Sequence, residues 1–166
     1  DLSHIKGLQI LIGGRTLSKA KRLVDELKIK SPAELIPLQI DFNSENLSSI
    51  FADLSLDIVI HTGGPFQGQS LKVPEACINS GSHYIDLSDD RQFACDVQLL
   101  SDKAKDKGVL LVSGASSVPG LSSSVVDKFA PNFSVIDSID IAIAPGNKAE
   151  RGIATTTAIQ TFMFTF

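Results

Sequence analysis

The sequence predicts an α/β protein built on a doubly wound, mostly parallel sheet, and three observations carry that prediction. Short apolar, β-branched runs alternate with segments of helical period along most of the 166 residues, the order expected of successive βαβ units. The stretch Asp57–Asp86 is one such unit complete: apolar strand, glycine turn, amphipathic helix, second strand. Val109–Ser113 (VLLVS) is continuously apolar, as are parallel strands covered on both faces.

The elements follow in order. Gly7–Ile12 (GLQILI) is a strand, and Gly13-Gly14-Arg15 turns out of it. Thr16 or Ser18 caps a helix to about Lys28 whose apolar face is Leu17, Ala20, Leu23, Val24 and Leu27. Glu34–Phe42 is the next strand, and Pro37 within it requires an edge or a bulge. Ser44 caps a short helix with Leu47, Ile50, Phe51 and Leu54 on one side.

Asp57–Thr62 begins the central unit, and Gly63-Gly64-Pro65 ends its strand. Val73, Ala76 and Cys77 face inward on the following helix, which Gly81 stops. His83–Leu87 is the second strand, parallel to the first. Asp89–Lys107 is one long helix carrying Phe93, Val97, Leu100 and Ala104, stopped by Gly108. After Val109–Ser113 come a Gly114–Gly120 loop and a Leu121–Phe129 helix, with Pro131 beyond it. Ser134–Ala144 alternates, with Ile139, Ile141 and Ile143 on one face, as a half-wet strand does. Pro145–Gly152 is a polar loop, so residues 1–147 are expected to form one domain and 148–166 the start of a second, for substrate or dimerisation.

Composition narrows the function classes. A net charge of −4 argues against a general nucleic-acid surface. No apolar run reaches the roughly 18–20 residues of a membrane span. Cys77 and Cys95 have no CxxC partner and no histidine at metal spacing. They are expected to be reduced thiols of a cytoplasmic protein without a metal site. The chain starts at Asp1 and stops on the apolar run Thr161–Phe166, which is expected of a piece of a longer polypeptide.

One part of a dinucleotide-binding, Rossmann-type fold is absent. None of the glycines forms the GxGxxG turn that holds a pyrophosphate at a helix N-terminus. Gln69 stands where a P-loop needs lysine. Asp1–Lys6 reads as the tail of a missing first β-α unit. In the usual strand order that unit is central, so a gap is expected between Gly7–Ile12 and Asp57–Thr62.

Ligands in such folds sit at the carboxyl ends of the strands, which directs attention to four places. Gly14-Arg15-Thr16 follows the strand where a carboxylate suits the 2′-hydroxyl of NAD and an arginine the 2′-phosphate of NADP. An arginine is otherwise mildly unfavourable at a helix start, which favours NADP over NAD. Asp41 and Phe42 end the next strand, beside an adenine site, although Asp41 reads equally as a local cap. Gly63, Gly64 and Pro65 allow close backbone approach to a ligand or simply make a tight turn. Asp86, Asp89, Asp90 and Arg91 cluster at the end of the following strand, where they face a substrate amine or cap the next helix.

His61, within an apolar strand, reads as a hydrogen-bonded core residue rather than a catalyst, and His83 and Tyr84 as packing residues. Six serines in Ser113–Ser124 contain no GxSxG elbow.

The stretch HTGGPFQGQSLKVPEACINSGSHYIDLSDD resembles the NADP-binding domain of the saccharopine dehydrogenase family. IGGRTLSKAKRL, VSGASSVPGLSSSVVD and IAPGNKAERGIATT extend the likeness to nearly the whole chain. The resemblance implies an NADP-linked oxidoreductase that transfers hydride at a secondary amine or imine of an amino-acid-like substrate, with the cofactor carrying the chemistry. It implies Arg15 and Thr16 at the adenosine phosphate, Asp41 and Phe42 at the adenine, and Gly63, Gly64, Pro65 and Phe66 on the nicotinamide side. No catalytic residue follows from it. The rival reading is a non-catalytic relative that keeps the scaffold for regulation or assembly. Strand edges left beside the gap favour a homodimer.

Overall fold

The computed structural model describes residues 2–142. The chain forms two compact units, Asp1–Glu45 and Asn46–Phe166. The segments expected as the end of the last strand, the 145–152 loop and the start of a second domain at 148–166 lie outside the described residues.

The first unit is a single βαβ turn. Strand β1 (Gln9–Gly14) pairs in parallel with β2 (Glu34–Gln39), in register from Gln9 opposite Glu34 to Gly14 opposite Gln39. Helix α1 (Leu17–Lys28) connects them. Its buried Ala20 and Val24 follow the expected stripe, and Val24 packs with Ala33, Leu35, Ile10, Ile12 and Leu27. Two boundaries differ from expectation. Gly13 and Gly14 belong to β1, not to the turn, because the parallel ladder continues through them and Ile40 N–H still donates to Gly14 O at 3.0 Å. Glycine also serves close approach there: a Cβ on Gly13 would lie 2.9 Å from Ile40 Cγ2. Strand β2 ends at Gln39, leaving Ile40–Phe42 outside it. Pro37 sits inside β2, which pairs only with β1 among the described residues, so its missing N–H falls on an edge strand.

The second unit carries a three-stranded parallel sheet, ordered β3 (Ile58–His61), β4 (His83–Asp86), β5 (Leu111–Val112). Among the described residues no ladder joins β3 to β1. Helix α2 (Leu47–Asp53) buries Leu47 and Phe51, and its cap position is Asn46 rather than Ser44. Helix α3 (Lys72–Ser80) links β3 to β4 and ends at Gly81, whose φ of 79° is the left-handed conformation glycine adopts freely.

The long helix expected over Asp89–Lys107 is two helices, α4 (Arg91–Gln98) and α5 (Ser101–Asp106). The break has a visible cause. Ser101 Oγ donates to Gln98 O at 2.6 Å, a side-chain bond that competes with the helical ladder. The bend turns Leu100 into a cluster with Ile78, Ala104 and Val109 and leaves Leu99 exposed.

Register explains the two faces of this sheet. Val59, Tyr84 and Leu111 form one cross-strand row; Ile58, His83 and Leu110 fall on the other side. The first row meets the core. Ile58, Ile60 and Leu110 are exposed, so the double burial expected of Val109–Ser113 is not reached, and only Leu111–Val112 pair.

Helix α6 (Ser122–Phe129) follows an irregular turn at Ser117–Leu121. Ser134–Ile141 forms no strand and is exposed throughout, Val135, Ile136, Ile139 and Ile141 included, so the expected division into a wet and a dry face is not seen among the described residues.

Candidate functional site

In the first unit, the carboxyl end of β1 and the start of α1 enclose a groove of about 300 Å³. Gly14, Arg15, Thr16 and Lys19 line it, with Leu23 and Ile12 as its apolar side. Leu23, expected in the core, is instead exposed towards this groove. Thr16 holds the N-cap position of α1, but its side chain makes no capping bond, so the hydroxyl is not spent on the helix. Arg15 is exposed and makes no ion pair among the described residues; its carbonyl is fixed by Gln39 Nε2 at 3.3 Å. The ion pair on this helix, Arg22–Glu26 at 3.5 Å, is solvent-exposed and contributes little. The groove therefore presents two cations, a hydroxyl and no carboxylate.

Asp41 is exposed, and its Oδ1 accepts from Asn43 N–H at 2.9 Å, a local turn rather than a helix cap. Phe42 is half-buried. Neither lines the groove.

In the second unit, the Gly63–Phe66 turn leaves β3. Gln69 braces it, its Nε2 donating to Gly63 O at 2.7 Å and to Pro65 O at 2.6 Å. Gly63, Gly64 and Pro65 are half-buried. Phe66 is buried instead, stacked edge-on against His61 at 5.2 Å and tilted against Phe93 at 5.3 Å. Its ring is core, so any ligand contact here falls to the backbone of the three residues before it. The brace by Gln69 was legible only as a residue unsuited to a P-loop.

Behind this turn lies a buried polar cluster. Tyr84 and Asp86 are fully buried and His61 is nearly so. His61 Nδ1 and Tyr84 Oη are 3.3 Å apart. Asp86 Oδ1 accepts three bonds: from Ser88 N–H at 2.9 Å, Gly114 N–H at 2.9 Å and Ser113 Oγ–H at 3.0 Å. Its backbone carbonyl takes Ala115 N–H at 2.9 Å. Asp86 thus fastens the crest of β4 to the loop after β5. Its former companions separate from it. Asp90 caps α4 by accepting from Phe93 N–H at 2.7 Å, and Asp89 is exposed beside Gln67.

Burial raises the Tyr84 hydroxyl far above its ordinary range, helped by the Asp86 charge, and pushes the Cys77 thiol up to about 12. Cys77 is an inert core thiol; Cys95 is exposed.

Burial also lowers the His61 pKa, against the opposing pull of Asp86. The folded imidazole therefore resists protonation, whereas the unfolded one charges near 6.5. Between those two values the unfolded chain binds the extra proton, so acidification below about pH 6.5 destabilises the fold by at most about 1.4 kcal/mol per pH unit from this group. Urea midpoints at pH 7.5 and 5.5 should differ more for the native chain than for His61→Gln; equal differences would remove His61 from the pH dependence.

Among the described residues there is no cluster of metal-ligating side chains and no helix long and apolar enough to cross a membrane.

Residues 1–112 match the family model described as the saccharopine dehydrogenase NADP binding domain. The saccharopine dehydrogenase-like oxidoreductase of Homo sapiens is 29% identical over 118 residues, which is 65% of this chain and 27% of that protein. Among solved structures, apo histidine-tagged saccharopine dehydrogenase (L-Glu forming) from Saccharomyces cerevisiae matches with a TM-score of 0.58 at 18% identity, over 78% of this chain and 27% of that one. At that identity the likeness is one of fold. The chain spans about a quarter of the length of these relatives.

Proposed function

The chain belongs to the family of saccharopine dehydrogenase NADP-binding domains, and on that premise we propose that it holds the 2′-phosphate end of NADP in the groove at the carboxyl end of β1. The observation that carries this reading is the donor set of the groove: Arg15, Lys19 and the unspent Thr16 hydroxyl, with no acidic side chain among its lining residues. A 2′-phosphate needs cations and hydroxyl donors, whereas the ribose of NAD needs a carboxylate at this strand end. The residues present fit the phosphate.

Arg15 supplies a planar fork for two phosphate oxygens. Lys19, one turn along α1, adds a second charge. Thr16 donates a hydrogen bond from the start of the helix. The Gly63–Pro65 turn of the second unit, stiffened by Gln69, suits backbone contact on the nicotinamide side. The bound dinucleotide supplies hydride chemistry, and the reaction proposed for the whole protein is hydride transfer at a secondary amine or imine of an amino-acid-like substrate.

Calorimetric titration with NADPH and NADH in parallel tests the cofactor assignment. The expected result is at least about tenfold tighter binding of NADPH, the value of one charge-assisted contact. Equal binding of both would sink it.

A further inference from the structure

The backbone from Gly63 to Gln69 closes on itself. Phe66 anchors it, its buried ring 5.2 Å from His61 and 5.3 Å from Phe93. From that anchor the chain reverses. Gln69 N–H donates to Phe66 O at 3.0 Å, and Gly68 between them takes a φ of 72°, a conformation glycine adopts without strain. The reversal returns the half-buried Gln69 side chain to the turn after β3, where its Nε2 donates to Gly63 O at 2.7 Å and to Pro65 O at 2.6 Å. Both N–H groups of the amide are thereby spent, and its orientation is fixed, because Oε1 in the same place would face two carbonyl oxygens. Gln67 plays no part in this: its Nε2 donates to Asp89 Oδ1 at 3.3 Å, beyond β4.

Two successive glycines are the backbone with most conformational freedom to lose. A turn left to order itself as a ligand arrived would subtract that entropy from the binding free energy. Gln69 removes the cost in advance by holding the peptide planes that follow Gly63 and Pro65. Gly64 N–H is held as well, on Thr62 O at 3.1 Å. The turn is set by bonds within the chain, none of which a ligand has to supply.

We infer that Gln69 is a positioning residue for cofactor binding, acting through the carbonyls of Gly63 and Pro65, and that its contribution is felt only by ligands that reach this turn. The inference rests on the reading above, in which the turn serves the nicotinamide side, and deepens it by naming the side chain on which that contact depends.

The test is calorimetric titration of the chain, of Gln69→Met and of Gln69→Glu, each with NADPH and with 2′,5′-ADP, which lacks the nicotinamide half. Methionine keeps the length of the side chain and loses both donors; glutamate sets oxygen against the two carbonyls. The expected result is at least about tenfold weaker NADPH binding in both variants, the effect of freeing about one residue of backbone. Binding of 2′,5′-ADP should change by less than about twofold. A merely structural role would weaken both ligands alike or neither. Gly68→Ala keeps the Gln69 amide but disfavours the φ that returns it to the turn. It should show the same selectivity, with a loss of about threefold or more, and provides the reading should the Gln69 variants disturb the fold. Unchanged NADPH affinity in a folded variant, equal losses for both ligands, or a native chain that holds NADPH no more tightly than 2′,5′-ADP would each overturn the inference. Its failure is separable from that of the cofactor reading: NADPH preference over NADH depends on Arg15 in the first unit, and the loss specific to NADPH over 2′,5′-ADP on Gln69 in the second.

Discussion

Asp86→Ala is expected to destabilise the chain by about 2–6 kcal/mol, since it strands the buried amides of Ser88 and Gly114, each costing about 1–3 kcal/mol when left unsatisfied, and also releases the half-buried Ser113 hydroxyl. Against a typical total of about 5–15 kcal/mol, such a loss approaches unfolding. The effect arises from geometry and not from charge. Asp86 Oδ1 takes all three bonds, and asparagine keeps an equivalent oxygen. Asp86→Asn should therefore cost well under half of what alanine costs. Urea unfolding of the three proteins measures this directly. An alanine variant within about 1 kcal/mol of the native chain would show that these bonds are replaced by water, and that Asp86 does not fasten β4 to the loop after β5.

Arg15→Glu is expected to weaken NADPH by about 100-fold and NADH by less than about threefold, because it removes a bidentate charge-assisted contact and sets a like charge against the 2′-phosphate. Arg15 is exposed and makes no ion pair among the described residues, so the substitution leaves no partner stranded and stability should hold. The difference between the two cofactors is the informative quantity. A loss of the same size for both would assign Arg15 to a part of the ligand that NADPH and NADH share.

The parallel βαβ order was legible because it depends on local periodicity: Ala20 and Val24 on one helix face, Val73, Ala76 and Cys77 on another, Gly81 at a helix end. That Gly14, Arg15, Thr16 and Lys19 come together at one strand end was legible for the same reason, since they are neighbours in sequence as well as in space. What depended on distant partners was not. Gly13 and Gly14 read as a turn until the ladder to Leu38 and Gln39 is known. Asp86 read as one of a group of acids at a strand end, yet two of its three bonds go to Ser113 and Gly114, and nothing in the intervening residues announces them. Phe66 was expected beside a ligand only as what the family resemblance implies; its burial against His61 and Phe93 comes from packing between elements far apart in the chain. Ser134–Ile141 shows the converse: a strand-like alternation does not by itself make a strand, and among the described residues no ladder includes this segment.

The central claim is that the groove at the end of β1 reads a 2′-phosphate. The most direct measurement is an NMR titration of the chain with 2′,5′-ADP and with 5′-ADP, which differ in that phosphate alone. The account predicts saturable shifts at Arg15, Thr16 and Lys19 with 2′,5′-ADP, and affinity at least about tenfold lower for 5′-ADP. Equal affinity for the two, or shifts that spare those three residues, would contradict it.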